Sequence, residues 1–372
     1  MTDEPVKKSI LIVGAGAIGR GFLAPRLVEA GYDVCFADRD PSLIREFDRD
    51  DKIFKTVTVL EDGYDLLEAP YTACLHINDI GQLIDQTDCV VFAVDERDLK
   101  DAAGEIRRLL RPDSNALAVL NIYSNPEIQT YLETLFQQRA EVQPITVDCL
   151  VSPKAPSELM HIDPLCVTAA SGTLILPGEG NQYNIPLCIR GMKAEEIWRL
   201  QQFLDLSAQL SLSYLGVHKG YQYLHEVAVD SEVYLKVLHL IRQIRDILDK
   251  MGMCSDKSMN EYIKICLNRI RNNRLRLPLE HSGKHPINYL EAGGLLQQIY
   301  QIFKDQGHPT DGITEIMLHA FLYPYCPFLQ RKRELLDPTQ LIEDVCGPNL
   351  PTELMHHLLD GLQGYEKGSL DR

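Results

Sequence analysis

The sequence predicts an α/β fold, in which an N-terminal Rossmann domain with a mostly parallel sheet precedes a mainly α-helical C-terminal domain. In the first half of the chain, short apolar runs rich in β-forming residues alternate with stretches of helical periodicity. This alternation is typical of βαβ units. After residue 192, long segments of helical periodicity take over, the first two near 193–208 and 210–229. We therefore predict two domains, 1–192 and 193–372.

The elements of the first domain follow one another in the order that a Rossmann domain requires. Predicted strands lie at 9–13, 33–37, 90–94 and 116–122. Predicted helices occupy 19–30 and 96–110. A third helix is predicted to start within Ser124-Asn125-Pro126-Glu127, which offers a capping residue, a proline for the first turn and an early acid, and to run to about Phe136. Strand-like pieces between 145 and 190 predict extra strands in this domain.

Composition and charge limit the classes of partner. The chain has 372 residues, 45% hydrophobic and 24% charged, as in ordinary globular proteins. Its formal net charge of -16 opposes binding to nucleic acid and to anionic lipid. The polar start, MTDEPVKKS, lacks the pattern of a signal peptide, so we expect a cytoplasmic protein. We expect a small-molecule substrate, no nucleic acid or membrane partner, and a monomer or homodimer.

The ten cysteines are scattered singly. No Cys-x-x-Cys pair occurs, so the sequence predicts neither a metal site nor a redox dithiol.

A glycine-rich turn follows the first predicted strand and opens the first helix. In ILIVGAGAIGRGF, Gly14, Gly16 and Gly19 have the G-x-G-x-x-G spacing. The first glycine permits a tight turn, the second lets the backbone approach a pyrophosphate, and the third lets helix and strand pack closely. The helix N-terminus then offers N–H donors to the phosphates. We predict a dinucleotide site here.

The second predicted strand, VCFAD, ends at Asp38. A carboxylate at this position accepts hydrogen bonds from the ribose hydroxyls of NAD and repels the 2′-phosphate of NADP. Arg39 favours a 2′-phosphate, but Asp40 follows it. The sequence therefore predicts NAD as the cofactor. The predicted cofactor contacts in this part of the chain are Gly14, Ala15, Gly16, Ala17, Ile18, Gly19, Asp38 and Arg39.

The run GAGAIGRGFLAPRLVEAGYDVCFAD resembles the opening of the mannitol-1-phosphate 5-dehydrogenase family, polyol-specific long-chain dehydrogenases. The likeness continues in shorter runs at 93–99, 163–168, 214–224 and 282–296. The resemblance implies a cleft between a Rossmann domain and a helical domain as the active site. It adds Ala93, Val94 and Asn125 to the predicted cofactor contacts.

The resemblance also implies a catalytic set, and this chain departs from it. The family uses a lysine base, an asparagine and a histidine on one helix, with a second asparagine from the Rossmann side. Here the histidine matches His218 and the Rossmann-side asparagine matches Asn125, whereas the lysine falls on Leu210 and the helix asparagine on Leu215. These departures remove the base and part of the oxyanion contacts, so an altered substrate is expected.

A second set of groups is predicted on the same helix. Tyr214, His218, Tyr221 and His225 have the i, i+4, i+7, i+11 spacing of one helical face. A Tyr–His pair can move a proton, with Lys219 as an alternative base. The predicted catalytic residues are thus His218, Asn125, Tyr214 and Lys219. The alternative is a helix whose aromatic and histidine side chains only pack.

Three functions remain open on the sequence. The first is an NAD-dependent oxidoreductase with a changed polyol, sugar-derived or keto substrate. The second is a catalytically inactive NAD-binding protein on a dehydrogenase scaffold. The third is a reductase of the broader 6-phosphogluconate-dehydrogenase-like group. The losses at Leu210 and Leu215 favour the second, and the Tyr/His face and Asn125 favour the first or the third.

Overall fold

The computed structural model describes residues 8–60, 62–110, 117–122, 126–161, 163–176, 188–190, 194–253 and 256–366. The chain divides into two compact units, Met1–Trp198 and Arg199–Arg372. The division falls a few residues after the predicted boundary between 192 and 193.

Strands of the first unit form three sheets. Their bounds are β1 Ser9–Val13, β2 Asp33–Asp38, β3 Ile53–Val59, β4 Tyr64–Pro70, β5 Ala73–His76, β6 Cys89–Phe92, β7 Leu117–Asn121, β8 Ala140–Pro144, β9 Thr146–Asp148, β10 Val151–Ser152, β11 Thr168–Ala170, β12 Thr173–Leu176 and β13 Cys188–Arg190. The largest sheet has the order β5-β2-β1-β6-β7-β8, and every neighbouring pair in it is parallel. The strand order reverses between β1 and β6, and ligands of such sheets bind at this switch point.

Helices cover both faces of this sheet. They are α1 Ala24–Glu29, α2 Pro41–Glu46, α3 Gly81–Ile84, α4 Glu96–Leu109 and α5 Pro126–Phe136. Two further helices, α6 Ser157–Met160 and α7 Ala194–Leu200, follow along the chain. A π-helical segment, Gly19–Leu23, leads into α1. Alternate residues of β1 enter different cores, with Ile10 and Ile12 in one and Leu11 and Val13 in the other. Burial on both faces explains why the strand is a continuous apolar run.

Five of the seven strands in the two smaller sheets lie between 145 and 190, where the sequence predicts extra strands. The other two, β3 and β4, form a hairpin from an earlier part of the chain. The orders of these two sheets are β10-β11-β3-β4 and β13-β12-β9. Asp163, 3% exposed, ties this region together by accepting hydrogen bonds from Arg49 Nη2 at 2.6 Å and from the backbone N of Lys55 at 2.8 Å.

Within its described residues, the second unit is helical. Its helices are α8 Ser207–Val217, α9 Leu224–Val227, α10 Ser231–Lys250, α11 Asp256–Arg271, α12 Leu279–Ser282, α13 Pro286–Leu290, α14 Leu295–Asp305, α15 Asp311–Phe321, α16 Pro327–Leu335, α17 Pro338–Cys346 and α18 Thr352–Glu366. The predicted α/β class with a helical C-terminal region is confirmed. Among the described helices, none is both long enough and apolar enough to cross a bilayer.

The helical run through α7 and α8 differs from the two segments that periodicity predicts. It continues from 194 to 217 through a π-helical segment, Gln201–Leu206, with no break at 209. It ends at Val217 rather than near 229, because Gly220 takes a left-handed conformation with φ 82°. Trp198, the one tryptophan of the chain, is half-buried in α7 and is the last residue of the first unit.

Candidate cofactor site and predicted catalytic helix

Two glycines of the turn after β1 are required by close backbone packing. Gly14 has φ 105°, and a Cβ atom there would lie 2.5 Å from the carbonyl oxygen of Ala93. A Cβ atom at Gly19 would lie 2.2 Å from the carbonyl oxygen of Gly14. The Gly14 N–H donates to the oxygen of Ala37 at 2.8 Å, which fixes the turn against the end of β2. Neither position has room for a side chain.

Gly16 differs from its two neighbours in the motif. A Cβ atom built at Gly16 has no atom within 4 Å, so this glycine faces open space. The helical turn begins at Ala17, followed by Ile18, directly after Gly16. A backbone without a side chain, beside open space and at a helix N-terminus, is the arrangement that admits a pyrophosphate.

Asp38 lies at the end of β2 and holds the glycine-rich turn. Its Oδ2 accepts from the N–H of Ala15 at 2.7 Å. Its Oδ1 accepts from the N–H groups of Arg39 at 2.7 Å and Asp40 at 2.9 Å. An ionised carboxylate offers about four lone-pair sites, so this one keeps capacity for a ribose hydroxyl.

The guanidinium of Arg39 lies towards the acidic first turns of α4. Its Nη1 is 3.9 Å from Asp98 Oδ1 and 3.9 Å from Asp101 Oδ2. The Arg39 side chain is 44% exposed, so each pair is weak. The surroundings of Asp38 are nevertheless acidic on balance.

Arg20 is a residue of this site that the sequence analysis missed. It is 8% exposed, and burial lowers its pKa. Its Nη1 donates to the carbonyl oxygen of Leu165 at 2.7 Å, and its Nε lies 3.5 Å from the carbonyl oxygen of Gly16. The guanidinium therefore connects the start of the helix to the 163–168 segment. A charged residue between two glycines in an otherwise apolar turn was the available signal.

The turn after β6 forms the other wall. Ala93 donates its N–H to the oxygen of Val13 at 2.7 Å, and Val94 places a methyl group 3.0 Å from a Cβ atom built at Gly14. The structure thus brings the predicted contacts from β1, β2 and β6 to one edge of the sheet. Asn125 lies outside the described residues.

Tyr214 lies in the core rather than at a surface. Its side chain has no solvent exposure, and its ring centroid is 5.2 Å from that of Tyr323. Burial raises the pKa of its hydroxyl well above the usual value. Leu210 and Leu215 are buried as well, at 0% and 7% exposure. The predicted assisting role of Tyr214 conflicts with this burial, because no substrate meets a side chain enclosed in the core.

His218 caps the C-terminal end of α8 and is half-buried. Its ring centroid lies 4.9 Å from that of His319 in α15. The Nε2 of His218 is buried and has no hydrogen-bond partner among the described residues. Burial lowers the pKa of this imidazole, so the neutral form prevails at neutral pH.

Lys219 is exposed and held by two carboxylates. Its Nζ lies 3.1 Å from Asp230 Oδ2 and 2.7 Å from Glu232 Oε2. These hydrogen bonds raise the pKa of the ammonium group. A lysine held in the charged form is a poor general base.

The predicted shared face of Tyr214, His218, Tyr221 and His225 is wrong. Because α8 ends at Val217, the last two residues lie beyond it. Tyr221 donates its hydroxyl to Asp230 Oδ2 at 3.0 Å, and His225 belongs to α9. Helical spacing in the sequence does not put residues on one face once a glycine has ended the helix.

Comparisons with known proteins agree with this architecture. The family model described as ketopantoate reductase PanE/ApbA matches residues 10–161. Mannitol-1-phosphate 5-dehydrogenase of Thermoanaerobacter pseudethanolicus is 23% identical over 336 residues, 84% of this chain and 85% of that protein. The enzyme of the same name from Aspergillus niger is 24% identical over 304 residues, 76% of this chain and 77% of that protein.

Among solved structures, the chain is similar to Pseudomonas fluorescens mannitol 2-dehydrogenase in its ternary complex with NAD and D-mannitol. The TM-score is 0.76 at 13% identity, with 98% of this chain and 93% of that chain covered. This likeness shows the fold, and the sequence relatives confirm the predicted resemblance. The chain thus resembles the mannitol-1-phosphate 5-dehydrogenases in sequence and has a dehydrogenase-like scaffold.

Proposed function

We propose that this chain is an NAD(H)-dependent oxidoreductase that acts on an altered polyol, sugar-derived or keto substrate. The observation that carries the proposal is the open space at Gly16, next to a carboxylate at the end of β2 and a helix N-terminus. When bound, NAD supplies the hydride acceptor. The chain supplies the N–H groups at the helix start for the pyrophosphate and Asp38 for the ribose hydroxyls.

The charges around Asp38 support NAD over NADP. A 2′-phosphate would meet the Asp38 carboxylate with like charge. Arg39, the one cation predicted to offset this, lies near Asp98 and Asp101. A bound 2′-phosphate would have to compete with both carboxylates for the guanidinium.

Of the predicted catalytic groups, His218 is the best candidate for proton transfer. Its lowered pKa leaves the imidazole neutral and able to accept a proton. Tyr214 is enclosed, and Lys219 is held charged by Asp230 and Glu232. Asn125, on the Rossmann side, is proposed to orient the reacting oxygen.

A second candidate function is NAD binding without catalysis. The burial of Leu210 and Leu215 favours it, since the resemblance puts the family's base and its helix asparagine at these positions. Two buried leucines neither take a proton nor donate to a developing oxyanion. On this alternative the scaffold binds the dinucleotide as a sensor or a partner-binding module.

The substitution Gly16→Val tests the cofactor site. The open space at this position tolerates the side chain in the free protein, but the branched Cβ would occupy the volume that the pyrophosphate needs. We expect NADH binding to be lost while the circular dichroism spectrum and the melting temperature stay near those of the wild type.

Gly104→Val in α4 is the matched control, because a Cβ atom there also has no atom within 4 Å. It should bind NADH like the wild type in isothermal titration calorimetry. Full NADH affinity in Gly16→Val would move the cofactor away from this turn.

A substrate screen separates the two functions. Polyols, sugar phosphates and keto acids are incubated with NAD(H), and the absorbance of NADH is followed. We expect mannitol 1-phosphate to turn over at least about 10²-fold more slowly than in a typical polyol dehydrogenase, because general-base assistance alone contributes about 10²–10⁴-fold.

On a substrate that is turned over, His218→Asn should lose activity and keep NADH binding. Full activity in that variant would remove His218 from the mechanism. Tight NADH binding with no turnover across the screen would favour the non-catalytic function.

A further inference from the structure

The helical unit contains a cavity that lies outside the glycine-rich turn. None of the predicted catalytic residues lines it, but the Tyr365 ring in its wall packs against His218, with ring centroids 6.4 Å apart. The cavity volume is about 460 Å³, within the range of roughly 300–1,000 Å³ that is usual for small-molecule sites. It lies among the C-terminal end of α15, α16, α17 and α18.

The walls are apolar with few polar groups. Leu322, Leu341 and Leu362, all buried, line the cavity together with the ring of Tyr365. Such walls are suited to the aliphatic or aromatic part of a ligand, and the Tyr365 ring would add directional contacts to an aromatic ligand.

Among the described residues that line this cavity, Arg333 is the one cation. Burial lowers its pKa, and its Nε is enclosed without a hydrogen-bond partner among the described residues. A buried donor on a charged group that lacks a partner is costly. If the guanidinium rotates towards the cavity, no hydrogen bond of Nε is broken. Two parallel N–H groups of the guanidinium then face a ligand in the cavity. That edge matches the two oxygens of a carboxylate.

Glu334 also lines the cavity and is exposed. Its charge opposes a dianion such as phosphate more strongly than a monoanion. The net charge of -16 acts in the same direction. We propose that the cavity between α16 and α18 binds a small monocarboxylate with an apolar body, the carboxylate on Arg333 and the body against Tyr365 and the leucines.

The experiment titrates the full chain with benzoate, phenylacetate and hexanoate, with benzyl alcohol as the neutral match and inorganic phosphate as the competing anion. Binding is followed by calorimetry in wild type, Arg333→Met and Arg331→Met. Arg331 is an exposed arginine of the same helix that does not line the cavity, which makes it the matched control. A circular dichroism spectrum and a melting temperature near those of the wild type, measured on each variant, confirm that the helical unit is intact.

At least one carboxylate should bind saturably to the wild type and to Arg331→Met, and at least tenfold more weakly to Arg333→Met. Benzyl alcohol should bind more weakly than benzoate and equally to all three proteins. The proposal is overturned if Arg333→Met keeps the carboxylate affinity, if phosphate binds more tightly than every carboxylate, or if no carboxylate binds the wild type below about 10 mM.

Discussion

Asp38 determines both the charge of the predicted ribose site and the shape of the turn beside it. One carboxylate oxygen holds the N–H of Ala15, and the other holds those of Arg39 and Asp40. Removal of the whole carboxylate would therefore loosen the turn as well as change the charge. A substitution that keeps one oxygen acceptor disturbs the turn less than removal of the whole carboxylate.

Asp38→Asn removes the charge and keeps one oxygen acceptor, and we expect it to narrow the preference for NAD over NADP. Its amide oxygen still accepts one hydrogen bond, but a charge-assisted hydrogen bond to the ribose, about 1.5–3 kcal/mol, is weakened. The ratio of the two affinities should fall by roughly 10- to 100-fold, as measured by calorimetry with both cofactors. Asp48→Asn, an exposed acid of the same unit, is the control. An unchanged ratio in Asp38→Asn would show that another group selects the cofactor.

For individual residues, the sequence predicts those features that depend on local backbone geometry. Gly14 and Gly19 lie in backbone packing that leaves no room for a Cβ atom, and that requirement follows from spacing within one strand, turn and helix. The burial of Arg20 and Tyr214 depends on segments far away in the chain, Leu165 for the arginine and Tyr323 for the tyrosine. No pattern within the local sequence contains that information.

At the scale of elements, periodicity predicts that a helix exists more reliably than it predicts where the helix ends. The long apolar pattern before residue 217 is present as α8, which is buried around most of its circumference. Its end depends on the left-handed backbone of Gly220. A glycine within a periodic run is compatible with continuation and with a C-terminal cap, and tertiary packing decides between them.

Contact between α8 and α15 predicts acid sensitivity. His218 and His319 face each other, and burial first and then His218 lower the pKa of His319 to about 4. Glu315 acts against this shift and Lys236 adds to it. Below about pH 6.5 the His319 side chain is protonated in the unfolded chain, whereas in the folded chain it is protonated only below about pH 4. Stability should therefore fall as the pH decreases through this window.

Thermal melts between pH 7 and pH 4.5 test this expectation. His319→Gln should reduce the acid-induced loss by an amount on the order of 1–2 kcal/mol, because glutamine does not titrate. His357→Gln, at an exposed histidine in α18, should leave the loss unchanged. Equal pH profiles in wild type and His319→Gln would show that the imidazole pair does not limit stability in acid.

At the scale of the whole molecule, two compact units predict two unfolding transitions. NAD binds the first unit only, on the function proposed above, and a ligand at 100 times its dissociation constant stabilises the folded state by about 2.7 kcal/mol. For a unit of this size, one transition in differential scanning calorimetry should rise by roughly 5–10 °C while the other stays in place. Gly16→Val should show no rise. A single transition that moves as a whole would contradict independent unfolding.

The position of Trp198 has a consequence for spectroscopy. This indole is the one tryptophan of the chain, and it lies in α7 at the last residue of the first unit. Light absorbed beyond the tyrosine band therefore excites a single site, and the emission wavelength reports the polarity around this half-buried indole. The chain carries its own optical label in α7, and no engineered dye is needed to follow a change in the surroundings of that helix.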